Sequence, residues 1–346
     1  MRKLLICLVL LGLLAHPAAA MELQPPDAPD RVEAMVEKEA DSFAEGLFNV
    51  LRETAVWIEP AIGEAAAVCL KVFIAVFICG LLNALSTMPV NSLRLVCTVA
   101  VATALIAPSA SLISLGTTTA EELSEYGKLL LPVMTAGLAA QGGVTASSAL
   151  YAGTALFNTL LSSAVSKIMV PMIYLFIALS IGHGAVNEPI LEQLKKLLSW
   201  AMTWVMKLVL YAFTGYMAIT GVVSGTADAS ALKVAKMAIS TSVPVIGGIL
   251  SDASEAVLVS AGVLKNAAGI YGILTVIALL CGPFLRIGIQ YLMIKATAAM
   301  CGSIWEKQTS ELIGDFATAM GLLLSIVSTQ SIMLLISTVC FMKGVG

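Results

Sequence analysis

The apolar residues of this chain run in blocks instead of alternating with polar ones. Five blocks, 65 to 85, 93 to 115, 168 to 186, 200 to 223 and 316 to 342, are each about one membrane crossing long, because a hydrocarbon core of about 30 Å takes roughly 20 apolar residues in a helix. Two further stretches, 129 to 165 and 241 to 304, are too long for one ordinary span and are interrupted by Gly, Pro or charge. The pattern predicts an all-α, polytopic helical membrane protein with about seven spans and with discontinuous or re-entrant elements.

The second interrupted stretch is the more informative. From Val243 to Leu250 the apolar run, which contains Gly247 and Gly248, measures roughly 12 Å as a helix and cannot cross. Ser251, Asp252 and Glu255 follow; Asp252 and Glu255 have capping-box spacing, and Lys265 with Asn266 supply a cation and a stop. Ala253 to Leu264 therefore reads as a short capped helix. The whole reads as a broken element, tolerated at membrane depth only when buried in protein or lining a wet cavity.

Leu131 to Leu150 looks alike: Pro132 and Val133, a break at Gly142 and Gly143, then a helix of small residues. A shift of 112 residues superposes Pro132 on Pro244, Leu138 on Leu250, Ser148 on Ser260 and Pro171 on Pro283. That marks a candidate internal repeat, and paired interrupted segments in two halves point to a substrate site or pore. The alternative is a pair of packing hairpins whose small residues let helices approach closely, as Gly221 and Gly225 also allow.

Ahead of the first block, Arg2 and Lys3, an apolar run from Leu4 to Ala15 and Ala18-Ala19-Ala20 have the three parts of a secretory signal peptide. Residues 1–20 are expected to be cleaved, with an uncleaved signal anchor as the alternative. Residues 21–64 form an acidic extracytoplasmic segment that holds 11 of the 22 acidic residues. After Pro25, Pro26 and Pro29, its stretch from Arg31 to Ile58 has helical apolar spacing. This helix either docks on a partner or lies on its own transmembrane bundle, residues 65–346. Two further amphipathic pieces, 187 to 200 and 227 to 240, read as interfacial connectors between spans.

Composition narrows the chemistry. The chain is 59% hydrophobic and 12% charged, half the charge of an ordinary soluble domain at about 25%. Its cysteines lie in apolar stretches and read as small packing residues, and no His or Cys pair has metal-ligand spacing. No catalytic, cofactor-binding or metal-ligating residue is expected, and no nucleic-acid partner. Charges within the blocks are costly unless paired or facing a cavity. Lys71 is near enough to an interface to snorkel. Arg286 and Lys295 follow Pro283, and Lys207 sits near the middle of its block, with Asp252, Glu255 and Asp315 as candidate partners.

The segments LLLPVMTAGLAAQGG at 129–143, LKVAKMAI at 232–239 and, above all, VPVIGGILSDASEAVLVSAGVLKNAAG at 243–269 resemble the stage III sporulation protein AE family of endospore-forming bacteria. The resemblance runs over nearly the whole chain. It implies a multi-pass subunit, in the mother-cell membrane around the forespore, of a channel or secretion-like complex that joins mother cell to forespore. The implied companions are the other stage III sporulation A-operon proteins and, indirectly, the forespore stage II Q-type protein across the intermembrane space. Self-association is left open, and no catalytic residues carry over. Beside the role of structural or gating component stands that of a transporter or pore in its own right, with Gly142, Gly143, Gly247, Gly248, Asp252, Glu255 and Lys207 around its path.

Overall fold

The computed structural model describes residues 25–36, 43–85, 89–242, 247–304 and 307–343; along 221–242 and 247–266 it describes the helical path alone. Every regular element among these residues is a helix. After a 3-10 turn at Glu33–Met35 come α1 (Phe43–Ala55), α2 (Ile58–Leu85), α3 (Val90–Ala140) and α4 (Val144–Ala164). A π-helical turn, Val165–Met169, joins α4 to α5 (Val170–Val186), followed by α6 (Pro189–Ser242), α7 (Gly247–Ile304) and α8 (Lys307–Lys343). The expected signal peptide lies outside the described residues.

Among the described residues, six stretches are long and apolar enough to cross a membrane: Phe43–Leu85, Asn91–Ala140, Val144–Val186, Pro189–Thr220, Ala267–Gly302 and Lys307–Lys343. The expectation was about seven. The difference arises at 129 to 165, which is no separate span: its first part closes α3 and its remainder opens α4. Residues 117–128 of α3 are polar, yet the helix does not stop there. Thr117 and Thr119 donate back to the carbonyls of Ile113 and Leu115 at 2.8 Å, so these hydroxyls are satisfied inside the helix, and the stretch contains no proline. Polarity without a breaker does not end a helix.

The turns obey local chemistry. At the end of α3, Gly142 has φ 92°; its N–H donates to Ala139 O at 2.9 Å and that of Gly143 donates to Leu138 O at 3.1 Å. This is a Schellman cap, and it places the break at Gly142 and Gly143 where the sequence located it. Between α5 and α6 the chain reverses in two residues: Asn187 takes φ 60° and closes on His183 O at 2.8 Å, and Pro189 starts the next helix.

Several sequence expectations are corrected. The amphipathic pieces 187 to 200 and 227 to 240 lie within the 54-residue α6 and, apart from the Asn187–Glu188 turn that precedes it, are not separate connectors. Ala253 to Leu264 is no short helix either, because α7 runs unbroken from Gly247 to Ile304; Asp252, Glu255 and Lys265 add charge but no breaker. The glycine pairs also differ in role, since Gly142 and Gly143 separate two helices whereas Gly247 and Gly248 begin one. A shift of 112 carries the turn at 141–143 onto 253–255, inside α7, so that turn has no counterpart at the position the sequence repeat assigns.

The long helices pack as an antiparallel bundle. At one end, called end A, His183 of α5 approaches Glu311 of α8, Gly184 meets Thr98 of α3, and Lys195 of α6 meets Asp315 of α8. At the other, end B, Tyr216 of α6 donates to Ala149 O of α4, and Gly269 of α7 lies against Met342 of α8. The centre is α7 against α8, with Ile313, Phe316, Leu323 and Phe341 fully buried. Gly116 of α3 sits directly on the Leu323 side chain, leaving no room for a Cβ. Close van der Waals packing of this kind, with buried polar links, is what holds helices together in lipid.

Of the two sequence readings for the N-terminal segment, the structure shows the second: it lies on its own bundle. Arg31 pairs with Glu122 of α3 at 2.8 Å and donates to Leu279 O of α7 at 3.2 Å, while Ala28 N–H donates to the Tyr271 hydroxyl. Ala28, Val32, Met35 and Val36 are buried. Burying the adjacent pair Met35 and Val36 requires extended backbone, which Val36 adopts. The expected helix from Arg31 therefore begins as a 3-10 turn, and the described residues from Phe43 to Ala55 are regular α-helix. In α1, Gly46, Val50 and Thr54, one turn apart, face the bundle.

Candidate functional site

The flank formed by α6 and α8 carries a polar groove. Residues at helical spacing on α6, from Glu192 through Lys195, Ser199 and Thr203 to Lys207 and Leu210, form one wall. Lys307, Glu311, Asp315, Thr318, Ser325 and Thr329 of α8 form the other. Towards end A the groove opens into a cavity of about 700 Å³ floored by Phe176 of α5. A second cavity of about 290 Å³, joined to the first at Thr203, continues past Lys207 to Ser328 and Thr329.

The groove's charges are mostly paired across or along its walls. Lys195 Nζ lies 2.5 Å from Asp315 Oδ2, and the two side chains are only 8% and 17% exposed. Lys196 pairs with Glu192 one turn before it at 2.5 Å, and Lys307 with Glu311 one turn after it at 3.5 Å. His183 Nδ1 is 3.2 Å from Glu188 O, and its Nε2 is 4.0 Å from Glu311. Lys207 stands exposed further along the groove with no carboxylate partner among the described residues. A trough of paired, opposite charges can hold water, a polar solute or another polar helix face.

Behind the groove the bundle interior is itself polar. Asn158 of α4 donates to Ser124 O of α3 at 3.1 Å, Gln330 of α8 donates to Asn158 Oδ1 at 2.5 Å, and Thr154 meets the Ser337 hydroxyl at 2.7 Å. These links tie α3, α4 and α8 together where apolar packing alone would permit sliding.

The sequence-derived site residues are not gathered in one place. Gly142 and Gly143 form the α3–α4 turn at end B, Gly247 and Gly248 start α7, and the side chains of Asp252 and Glu255 lie outside the described residues. Asp315, one of three candidate partners for Lys207, pairs with Lys195 instead, which lies 12 residues earlier on α6 and about 18 Å away along its axis. Of the other charges, Arg286 pairs with Glu64 at 2.5 Å, Lys295 donates to the Tyr291 hydroxyl at 2.9 Å, and Lys71 is exposed on α2. The sequence reading missed the Lys195–Asp315 pair and the Asn158–Gln330 link. Both join residues more than one hundred positions apart, for which the only hint was the presence of polar residues in apolar runs.

Six long apolar helices flanked by a charged groove define a polytopic helical membrane protein. The family model described as stage III sporulation protein AE matches residues 33–344, and the chain belongs to that family. Stage III sporulation protein AE of Bacillus subtilis (strain 168) is 26% identical over 189 residues, covering 54% of this chain and 47% of that protein. The match thus spans about half the length of this curated relative. No solved structure matches. Family membership supports a role in sporulation.

Proposed function

We propose that this protein is an integral subunit of a mother-cell-to-forespore channel or secretion-like complex, acting as its structural or gating membrane component and catalysing no reaction. Its companions are the other stage III sporulation A-operon proteins and, across the intermembrane space, the stage II Q-type forespore protein. The chain sits in the mother-cell membrane around the forespore, with its N-terminal segment on the extracytoplasmic side. The observation that carries this reading is the match to the family over residues 33–344. The groove between α6 and α8 supports it, because polar and charged side chains on an outer flank of a membrane bundle call for protein cover.

The test is isolation of a functional tagged chain from sporulating cells in mild detergent, followed by solute efflux from liposomes holding the chain alone. The expected result is co-purification of the A-operon proteins and no efflux. A chain that arrives without companions and passes small solutes by itself sinks the proposal. That outcome belongs to the second reading, a self-sufficient transporter or pore, which the cavity of about 700 Å³ favours. In that case Asp252→Asn or Glu255→Gln changes the flux.

A further inference from the structure

We infer that the groove between α6 and α8 seats one transmembrane helix of a different protein, and that this helix carries a carboxylate opposite Lys207. The inference rests on the reading of the chain as a subunit of a larger membrane complex. The groove has the dimensions of such a helix. From Glu192 to Leu210 its α6 wall runs 18 residues, and from Lys307 to Thr329 its α8 wall runs 22. At 1.5 Å per residue these are about 27 and 33 Å, close to the hydrocarbon thickness of about 30 Å.

Charge identifies the occupant. Three of the four lysines lining the groove are matched within the chain: Lys195 by Asp315, Lys196 by Glu192 and Lys307 by Glu311. Lys207 is not matched by any described residue; its groove neighbours are the apolar Met206, Leu210 and Leu324 and the hydroxyls of Thr203, Ser325, Ser328 and Thr329, which donate to their own helices and keep their lone pairs free to accept. A cation within a span requires a counter-charge or water, and hydroxyls supply the hydrogen bonds that hold helices together in lipid. The exposed Trp200 and Trp204, stacked with ring centroids 6.3 Å apart, give the groove an apolar rim.

A second copy docking groove to groove is the poorer occupant. Two copies in one membrane that pack this way about a two-fold axis along the membrane normal bring identical residues to the same depth on either side of the contact. Through this groove, that symmetry sets Lys207 against Lys207 with no anion between them.

The experiment places a photo-crosslinking amino acid at Ser328 in the groove and, as control, at Leu175 on the exposed face of α5, in chains expressed in sporulating cells. Crosslinked peptides are read by mass spectrometry. The expected adduct from Ser328 is an apolar segment of another protein that contains Asp or Glu. Lys207→Glu lowers its yield about tenfold, equivalent to about 1.4 kcal/mol, and replacing the partner's carboxylate by Lys restores it. Lys207→Met controls for folding, since Lys207 has no ion pair to lose among the described residues, and its thermal unfolding in detergent should match the parent chain.

Adducts to a second copy of this chain, to lipid alone, or to a partner segment whose yield ignores Lys207→Glu each overturn the inference. The two proposals fail separately. A-operon proteins that co-purify while Ser328 labels only lipid remove the groove helix and leave the complex standing. A charge-matched helix from a protein outside that operon, with no A-operon proteins retained, does the reverse.

Discussion

Replacing Asp315 by Asn tests whether the Lys195–Asp315 pair in the wall of the end-A cavity is shielded from water. The Lys195 and Asp315 side chains are 8% and 17% exposed, too little for water to screen the pair. Removing one partner of a buried pair costs about 3–5 kcal/mol, because the remaining charge keeps its desolvation penalty and loses the attraction that offset it. Asp315→Asn should lie in the upper half of that range, since it strands the more deeply buried Lys195. Lys195→Met should cost about 3 kcal/mol, stranding the better-exposed carboxylate. The double variant Lys195→Met/Asp315→Leu removes both charges and should fall within about 1 kcal/mol of the parent chain. With these figures the cycle returns a coupling of about 6 kcal/mol. Equilibrium unfolding in mixed micelles of dodecyl maltoside and SDS, followed by tryptophan fluorescence, measures all four chains. Single costs below about 1 kcal/mol that simply add in the double variant are the signature of an exposed, screened pair, and would refute the reasoning.

Three further outcomes follow from packing and backbone geometry, each read in the same unfolding assay. A Cβ on Gly153 would overlap the Tyr216 ring, whereas Gly215 has nothing within 4 Å. Gly153→Ala should thus lose about 1–3 kcal/mol, while Gly215→Ala is neutral or gains up to about 1 kcal/mol of helix propensity. Gly142→Ala, at φ 92°, should cost about 1–2 kcal/mol through left-handed strain, against no loss for Gly63→Ala, which has open space around it. Gln330→Leu strips Asn158 Oδ1 of its donor and should cost about 1–2 kcal/mol, with Asn158→Leu/Gln330→Leu recovering most of it.

What the sequence disclosed, it disclosed through local chemistry. The helical class follows from the apolar blocks, and the break at Gly142 and Gly143 follows from a glycine able to take positive φ at a helix end. What it withheld was continuity and long-range pairing. Thr117 to Lys128 reads as a gap between spans because hydropathy measures solvent preference, while helix continuation depends on backbone hydrogen bonding, which Gly127 alone does not interrupt. The capped start at Asp252 and Glu255 misled for the same reason: cap-forming residues also fit within a helix when nothing forces the chain to turn. Lys207 drew attention as a lone charge in an apolar run, yet the buried pair formed around Lys195, in a stretch polar enough to read as an interfacial connector. The local contrast between the two lysines pointed to the wrong one. Which of them meets Asp315 is set by the stagger of α6 on α8, a property of the packed bundle.

Helix length supplies the argument that connects this fold to an assembly. The 51 residues of α3 extend about 76 Å, and even at a tilt of about 40° they reach roughly 58 Å along the membrane normal, nearly twice a hydrocarbon core of about 30 Å. Part of α3 therefore stands beyond the lipid tails. Exposed apolar side chains nevertheless occur in both halves: Leu70, Ile74, Phe77 and Leu81 in the end-A half, and Leu129, Tyr151, Leu156 and Ile219 in the end-B half. Between them, Glu121, Glu125 and Lys128 of α3 are exposed, marking a polar level partway along the bundle. Lipid tails can cover only one of these apolar surfaces at a time. A bare apolar surface in water beyond a few hundred Å² is a mark of protein contact, which supports the proposed cover by neighbouring proteins. A self-sufficient transporter has no such need, because its apolar surface ends at the interface. A subunit whose neighbours continue its apolar surface past the lipid, and fill the groove between α6 and α8 on its flank, accounts for both features at once.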